Sequence, residues 1–203
     1  MLDKTDDIAV AAEHWLEEFE TALSDADDGA LTHLFLADSY WRDAVALSWT
    51  LQTINGRDAI LETLKAQAAK ENPSGFVIAP GRAPPRKVTR AGTDCIETIF
   101  DFETRTGRGD GIFRLISDAN DGNRLKAWTL LTALEELKGF EEPLGTNRPR
   151  GNAYSRDFRG PNWLDQRNAS NAYADHDPIV LVIGGGQSGL SIAARLKQLV
   201  HKV

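Results

Sequence analysis

Three glycines near the carboxyl end have the types and spacing for nucleotide-phosphate binding. Gly184, Gly186 and Gly189 fit G-x-G-x-x-G, with Gln187 and Ser188 between the second and the third. The first glycine of such a run permits a tight turn. The second lets a pyrophosphate approach the backbone, and the third lets a helix pack closely on the strand before it. A helix opening at about Gln187 would aim unspent N–H groups and the positive end of its dipole at the phosphates. Gly184, Gly186, Gln187, Ser188 and Gly189 are therefore the candidate cofactor-binding residues.

The flanking elements must position that turn. Ile179–Ile183 is a run of five β-branched or leucine residues, which suits a parallel strand covered on both faces. Ile192, Ala193, Leu196 and Leu199 give the following segment an apolar stripe at helical spacing. The fingerprint is incomplete. An acidic residue for the ribose hydroxyl is expected about 20 residues beyond the glycines, yet the 14 residues after Gly189 include no Asp or Glu. One strand and one helix cannot close a sheet, so these residues are expected to hold no dinucleotide tightly. An unpaired apolar strand is expected to dock, swap between chains or stay without order.

A second candidate is Asp43, flanked in sequence by Trp41 and Trp49. An aspartate in an apolar cavity has a raised pKa and can act as a general base. The competing reading pairs Asp43 with Arg42, Arg57 or a backbone N–H. Tyr40 and Trp128 are further pocket candidates. His14 and His33 read as hydrogen-bonded structural residues. His14, His33, His176, His201 and the single Cys95 are scattered without ligand spacing, so no metal site is expected. Cys95 reads as a small buried hydrophobe. Arg82, Arg86, Lys87 and Arg90 cluster around Pro84-Pro85. They either steer an anionic ligand, such as a nicotinamide cofactor's phosphate, or form a solvated loop or a contact with an acidic first helix.

The 203 residues are 41% hydrophobic and 26% charged, the balance of a globular protein with one full domain and part of another. A net charge of −7 argues against nucleic acid or an anionic membrane held by bulk charge. The acidic amino terminus lacks a signal-peptide pattern, no apolar run is long enough to span a bilayer, and one cysteine excludes an internal disulfide. The cytoplasm is the expected location.

Residues 6–24 form an amphipathic pattern on Ile8, Ala12, Trp15, Phe19 and Leu23. A short helix from about Ala30 to Leu36, capped by Asp28, follows. Ser39–Leu51 is expected as one extended stretch. Asn55-Gly56 marks a turn, and Asp58 or Asn55 caps a helix over about 57–69 with the stripe Ile60, Leu61, Leu64. Extended stretches are expected at 75–79, 86–91, 94–104, 108–118 and 123–136, making a curved antiparallel sheet and an α+β class. Residues 139–177 lose periodicity and read as a linker or arm, with Tyr154, Phe158, Trp163 and Tyr173 as aromatic anchors. The expected organisation is 1–138, 139–177 and 178–203.

Two resemblances follow from these residues. The order helix, helix, strand, helix and then long antiparallel strands, with Tyr40–Ile60 and its Gly56-Arg57, resembles a SnoaL-like domain, the conical α+β fold of the nuclear-transport-factor superfamily. Such cones enclose a small-molecule pocket, so this likeness implies a small-ligand-binding module or an isomerase, cyclase or dehydratase using Asp43 or a histidine. It also implies a homodimer through the sheet. Asn162-Trp163, Arg167 and Asp177–Leu196 resemble the junction in bacterial and fungal flavin-containing monooxygenase-like proteins, where a SnoaL-like region precedes a Rossmann domain. That likeness implies the amino-terminal part of an FAD- and NADPH-dependent oxidoreductase acting on a small organic substrate. These 203 residues are expected to bind neither cofactor by themselves.

Overall fold

Ala12, Trp15, Leu16, Phe19 and Leu23 line the buried side of α1 (Lys4–Ser24), and Ile8 packs half-buried beside them. Their recurrence every three or four residues makes one apolar stripe, and burial of that stripe supplies most of the helix's stability. The computed structural model describes residues 4–142, 148, 159–174 and 177–199. Two units are distinguished, residues 1–138 and 139–203.

In the first unit α1 is followed by α2 (Asp28–Leu34), β1 (Phe35–Ala44), β2 (Leu51–Asn55) and α3 (Arg57–Glu71). Then come β3 (Ser74–Ile78), β4 (Arg86–Arg90), β5 (Thr93–Glu103), β6 (Gly107–Asp118) and β7 (Arg124–Leu137). The strands form one sheet in the order β2-β1-β7-β6-β5-β3. β4 shares an edge of β5 with β3, pairing with Thr93–Glu97 while β3 pairs with Phe100–Glu103. Helices packed on a curved sheet give the expected conical α+β class.

Four local expectations are corrected. The sheet is mixed, because β1 runs parallel to β7. Residues 39–51 are not one strand: Val45 turns to φ 57, and β1 folds back on β2 as a hairpin. Asp27, not Asp28, caps α2, accepting from the Ala30 N–H at 3.0 Å. Gly56 occupies the cap position of α3 without a side-chain bond, so neither Asn55 nor Asp58 caps it.

The interior of the cone is aromatic. Phe76 stacks on Phe102 with ring centroids 5.3 Å apart, Phe100 meets Phe113 at 5.7 Å, and Trp15 meets Phe113 at 4.6 Å. Each fully buried phenylalanine contributes roughly 1.5–3 kcal/mol by leaving water. Gly109 and Gly111 of β6 lie directly across from Phe102 and Phe100. A Cβ at Gly109 would stand 2.6 Å from the Phe102 ring, and one at Gly111 would collide with Phe100. The two rings therefore lie over bare backbone, which is why glycine occurs inside this strand. β-Bulges in the β6–β7 ladder, after Arg108 and after Arg114, bend the sheet over this core.

In the second unit, residues 163–172 are helical (α4, Trp163–Ala172), where the aperiodic composition predicted an arm. A capping box explains it: Asn162 accepts from the Leu164 and Asp165 N–H groups, and Asp165 accepts from the Asn162 N–H. Trp163 is 70% exposed, and the Arg167 guanidinium lies over its ring at 5.1 Å from the centroid. Tyr154, Phe158, His176 and His201 lie outside the described residues. α5 (Gln187–Leu199) begins where the glycine motif predicts. The strand expected at Ile179–Ile183 does not form: this stretch has no ladder partner among the described residues, and Ile179 and Ile183 are each 91% exposed.

Candidate functional site

Because aromatic rings fill the centre of the cone, open space is found at one end of the sheet. There the first turns of α1 pass over β4–β7, and a cleft of about 730 Å³ opens. Ile8 and Ala11 of α1 form one wall, and Ile96, Leu115 and Leu125 form the other. Lys87, Thr89, Asp94 and Ser117 supply polar groups. Asp94 accepts from the Thr89 hydroxyl at 2.6 Å, while Lys87 has no partner among the described residues. A second cleft of about 470 Å³, reaching His14 and Trp15, adjoins the first and shares Asp7, Ala11 and Leu125 with it.

Asp43 lies elsewhere, fully buried on the core-facing side of β1. Its Oδ1 accepts from the Thr132 hydroxyl at 2.7 Å and the Leu47 N–H at 3.3 Å. Its Oδ2 accepts from the Ser48 N–H at 2.7 Å and the Ser48 hydroxyl at 2.5 Å. Trp41 Nε1 donates to the same Thr132 hydroxyl at 2.9 Å. The loop that Asp43 holds contains two residues in the left-handed region, Val45 and Trp49, each at φ 57. Left-handed backbone costs about 1–2 kcal/mol per non-glycine residue. Hydrogen bonds to a charged group return about 1.5–3 kcal/mol each, so the carboxylate outweighs the strain. Glu71, 5% exposed, secures the far side by accepting from Trp49 Nε1 at 2.9 Å and from the Thr106 hydroxyl at 3.2 Å. Of the two readings of Asp43, the backbone N–H partner is present; Arg42 instead bonds Thr53, and Arg57 sits against Asp58.

The basic cluster divides between the two faces of the sheet. Strand alternation puts Arg86, Val88 and Arg90 on the outer face and Lys87 and Thr89 on the cleft side. Arg82 reaches Asp110 at 3.4 Å, and Arg86 and Arg90 converge on Glu97, which Arg114 joins from β6. Neither Asp110 nor Glu97 belongs to the acidic first helix. The Arg90 hydrogen bonds, reinforced by those from Arg114 and Arg86 and opposed by burial, hold the Glu97 carboxyl at about 2. Burial pushes the Cys95 thiol upward, consistent with an inert, hydrophobe-like cysteine.

At the glycine turn a helix follows, while no strand precedes it among the described residues. Gly184 has φ 114, and a Cβ on Gly189 would collide with the Gly184 carbonyl oxygen. The Leu190 N–H donates to the Gly186 oxygen at 3.0 Å, at the start of the helix. The amides of Gln187, Ser188 and Gly189 occupy the first turn, where helical geometry leaves N–H groups unpaired. His14 sits 3.5 Å from Glu18 on the surface of α1, and His33 closes α2. Among the described residues no group of three His, Cys, Asp or Glu is arranged to hold a metal ion, and no helix is long and apolar enough to cross a membrane.

Thr132, Glu71 and Glu97 were not singled out by sequence reasoning. Thr132 and Glu71 become partners of the 43–50 hairpin across separations of 89 and 22 residues. Glu97 left a legible signal: Arg86 and Arg90 occupy alternate positions of one predicted strand, hence one face.

No protein-family profile matches this chain, and no curated protein matches it in sequence. Solved structures of similar fold include the following three. A nuclear transport factor 2 (NTF2-like) superfamily protein from Salmonella enterica is 12% identical, with 65% of this chain and 94% of that one covered and a TM-score of 0.46. An NTF-2 like protein of unknown function from Silicibacter pomeroyi is 13% identical, covering 66% and 100%, at a TM-score of 0.45. An NTF2-like protein from Cytophaga hutchinsonii is 11% identical, covering 66% and 100%, at 0.44. At such identities ligand and activity are not carried across, and the cone stands on the strand order and helix placement described above.

Proposed function

We propose that residues 4–138 form a small-ligand-binding module whose site is the cleft between the first turns of α1 and strands β4–β7. The observation that carries this reading is the cleft itself. Its 730 Å³ fall within the size of small-molecule sites, and its walls are apolar with a few polar groups placed among them. The occupant is a small organic molecule with an apolar body. Asp43 is a positioning residue for the 45–50 loop in this reading, because its oxygens are taken by donors. An isomerase, cyclase or dehydratase would have to draw on Asp7, Lys87, Asp94 or Cys95, the titratable side chains that line the cleft. The test uses 2-naphthol as a probe of the full chain, followed by methyl NMR. Shifts at Ile8, Ile96, Leu115 and Leu125, abolished by Ala11→Trp, are expected. Shifts confined to methyls outside the cleft would overturn the assignment.

A second reading is favoured by the geometry at Gly184 and Gly189. The tight turn and the close helix approach fit a pyrophosphate, so Gly184, Gly186, Gln187, Ser188 and Gly189 would face the phosphates of FAD in a larger oxidoreductase of the monooxygenase type. FAD with NADPH would supply the redox chemistry, and this chain's own share is to present turn amides. Weak ADP-induced amide shifts at residues 184–190, lost in Gly189→Val, are expected by NMR; ADP shifts that ignore these residues would remove the reading. We also propose a homodimer through the outer face of the sheet, where Ile99, Ile112 and Leu131 are half-buried and adjacent in register. Light scattering should report twice the monomer mass, reduced by Ile112→Asp.

A further inference from the structure

We propose that Arg86, Arg90 and Arg114 form a binding site for the phosphate group of a small molecule, on the outer face of the sheet. Register sets the place. Arg86 is opposite Glu97 across β4–β5, and Glu97 is opposite Arg114 across β5–β6. Charged residues from three neighbouring strands therefore share one face. Arg86 donates to Glu97 through Nη2 at 2.9 Å. Arg90 donates through Nε at 3.0 Å and Nη2 at 2.9 Å. Arg114 donates through Nε at 2.9 Å, with Nη2 2.8 Å from the same carboxylate.

One carboxylate, 5% exposed, thus answers three guanidiniums. Three positive charges less one negative leave +2 at this spot, on a chain whose net charge is −7. Glu97 is a positioning residue: it aligns the three side chains and occupies the nitrogens turned toward it. The Nη1 groups of Arg86 and Arg90 have no partner among the described residues, and that of Arg114 reaches Thr129 at 3.4 Å. The three side chains remain 47%, 45% and 29% exposed. Guanidinium groups are weakly hydrated and present planar donor pairs to oxyanions. A phosphate monoester brings about −1.5 to −2 charges and three acceptor oxygens. That matches both the uncompensated charge and the donors left over, the Nη1 groups of Arg86 and Arg90 and the second N–H of the Arg114 Nη1, whereas a carboxylate brings half the charge and two oxygens. Lys87 faces the other side of the sheet, so this site is separate from the cleft and does not rest on the ligand-binding reading.

The test titrates the full chain with inorganic phosphate at low ionic strength, following the arginine Nε–Hε signals by NMR. Saturable shifts at Arg86, Arg90 and Arg114 are expected. R86Q/R90Q should weaken phosphate binding by about tenfold or more, and K87Q should leave it unchanged. Should the double variant fail to fold, R86Q alone gives the same readout, because Arg86 makes a single hydrogen bond to Glu97. Absence of saturable shifts at millimolar phosphate overturns the proposal, as does a phosphate affinity that depends on Lys87. A third overturning result is a change of particle mass in R86Q/R90Q with phosphate affinity intact, which would assign the patch to a second copy of the chain.

Discussion

Two apolar stretches of this chain meet different fates. Cys95–Phe102 lies in β5, with β3 and β4 along one edge and β6 along the other. Ile96, Phe100 and Phe102 are consequently buried, and every neighbouring strand adds cross-strand contacts. Ile179–Ile183 is more uniformly apolar, yet Ile179, Leu181 and Ile183 are exposed and form no ladder among the described residues. Hydrophobicity alone does not make a strand. A strand needs partners for its N–H and C=O groups, and a second layer on which to bury its side chains. α5 next to it needs no partner for its backbone bonds, and it forms at the predicted position.

The largest effect should come from emptying the paired region. Phe100→Ala removes a fully buried ring that packs on Phe76, Phe102 and Phe113. A loss of about 3–5 kcal/mol in urea unfolding is expected. A loss near zero would mean that the aromatic cluster is not a packed core.

Asp43→Ala comes next. It leaves the Leu47 and Ser48 N–H groups and the Thr132 hydroxyl without their acceptor. We expect about 2–4 kcal/mol of destabilisation, with 2-naphthol still bound in the cleft of the folded fraction. Loss of binding in fully folded variant protein would place Asp43 at the ligand after all.

Glu97→Gln sharpens the comparison through pH. The folded-state carboxyl titrates at about 2, below its ordinary 4.5. A depressed carboxyl stabilises the fold fully above about pH 4.5, and that contribution disappears as pH falls through about 2. Wild type should therefore lose stability more steeply than Glu97→Gln between those two values, as read from urea midpoints at successive pH. Parallel profiles would show that the arginines do not hold this carboxylate.

The smallest effect is expected at Ile183→Asp. A side chain 91% exposed should change unfolding by no more than about 0.5 kcal/mol. A cost of several kcal/mol would reveal a covering partner for the stretch.

Local patterns made much of the first unit legible. The stripe of α1, the helix over Arg57–Glu71 and strands β3–β7 lie within a few residues of their predicted ranges. The β1–β2 hairpin was not legible, because its turn uses Val45 and Trp49 at positive φ instead of glycine or asparagine. Only the Asp43 and Glu71 carboxylates, placed by tertiary contacts, make that turn tolerable. The parallel β1–β7 pairing was hidden for a related reason: hydrophobic alternation reports which face is buried, not which strand lies alongside. The cleft was missed because it is the space left between α1 and the end of the sheet. The tryptophans flank Asp43 in sequence, but its hydrogen-bond donors Thr132, Leu47 and Ser48 could not be read from that pattern.

What the sequence determined by itself was short-range. Apolar spacing along α1, the capping box at Asn162 and the glycine interval at 184–189 each act within a turn or two of backbone, where sterics and hydrogen bonding are local. The tertiary structure decided which strands became neighbours, which carboxylate met three arginines and where space for a ligand remained. Those outcomes join residues tens of positions apart, and only the packing of helices and sheet around one core brings them together.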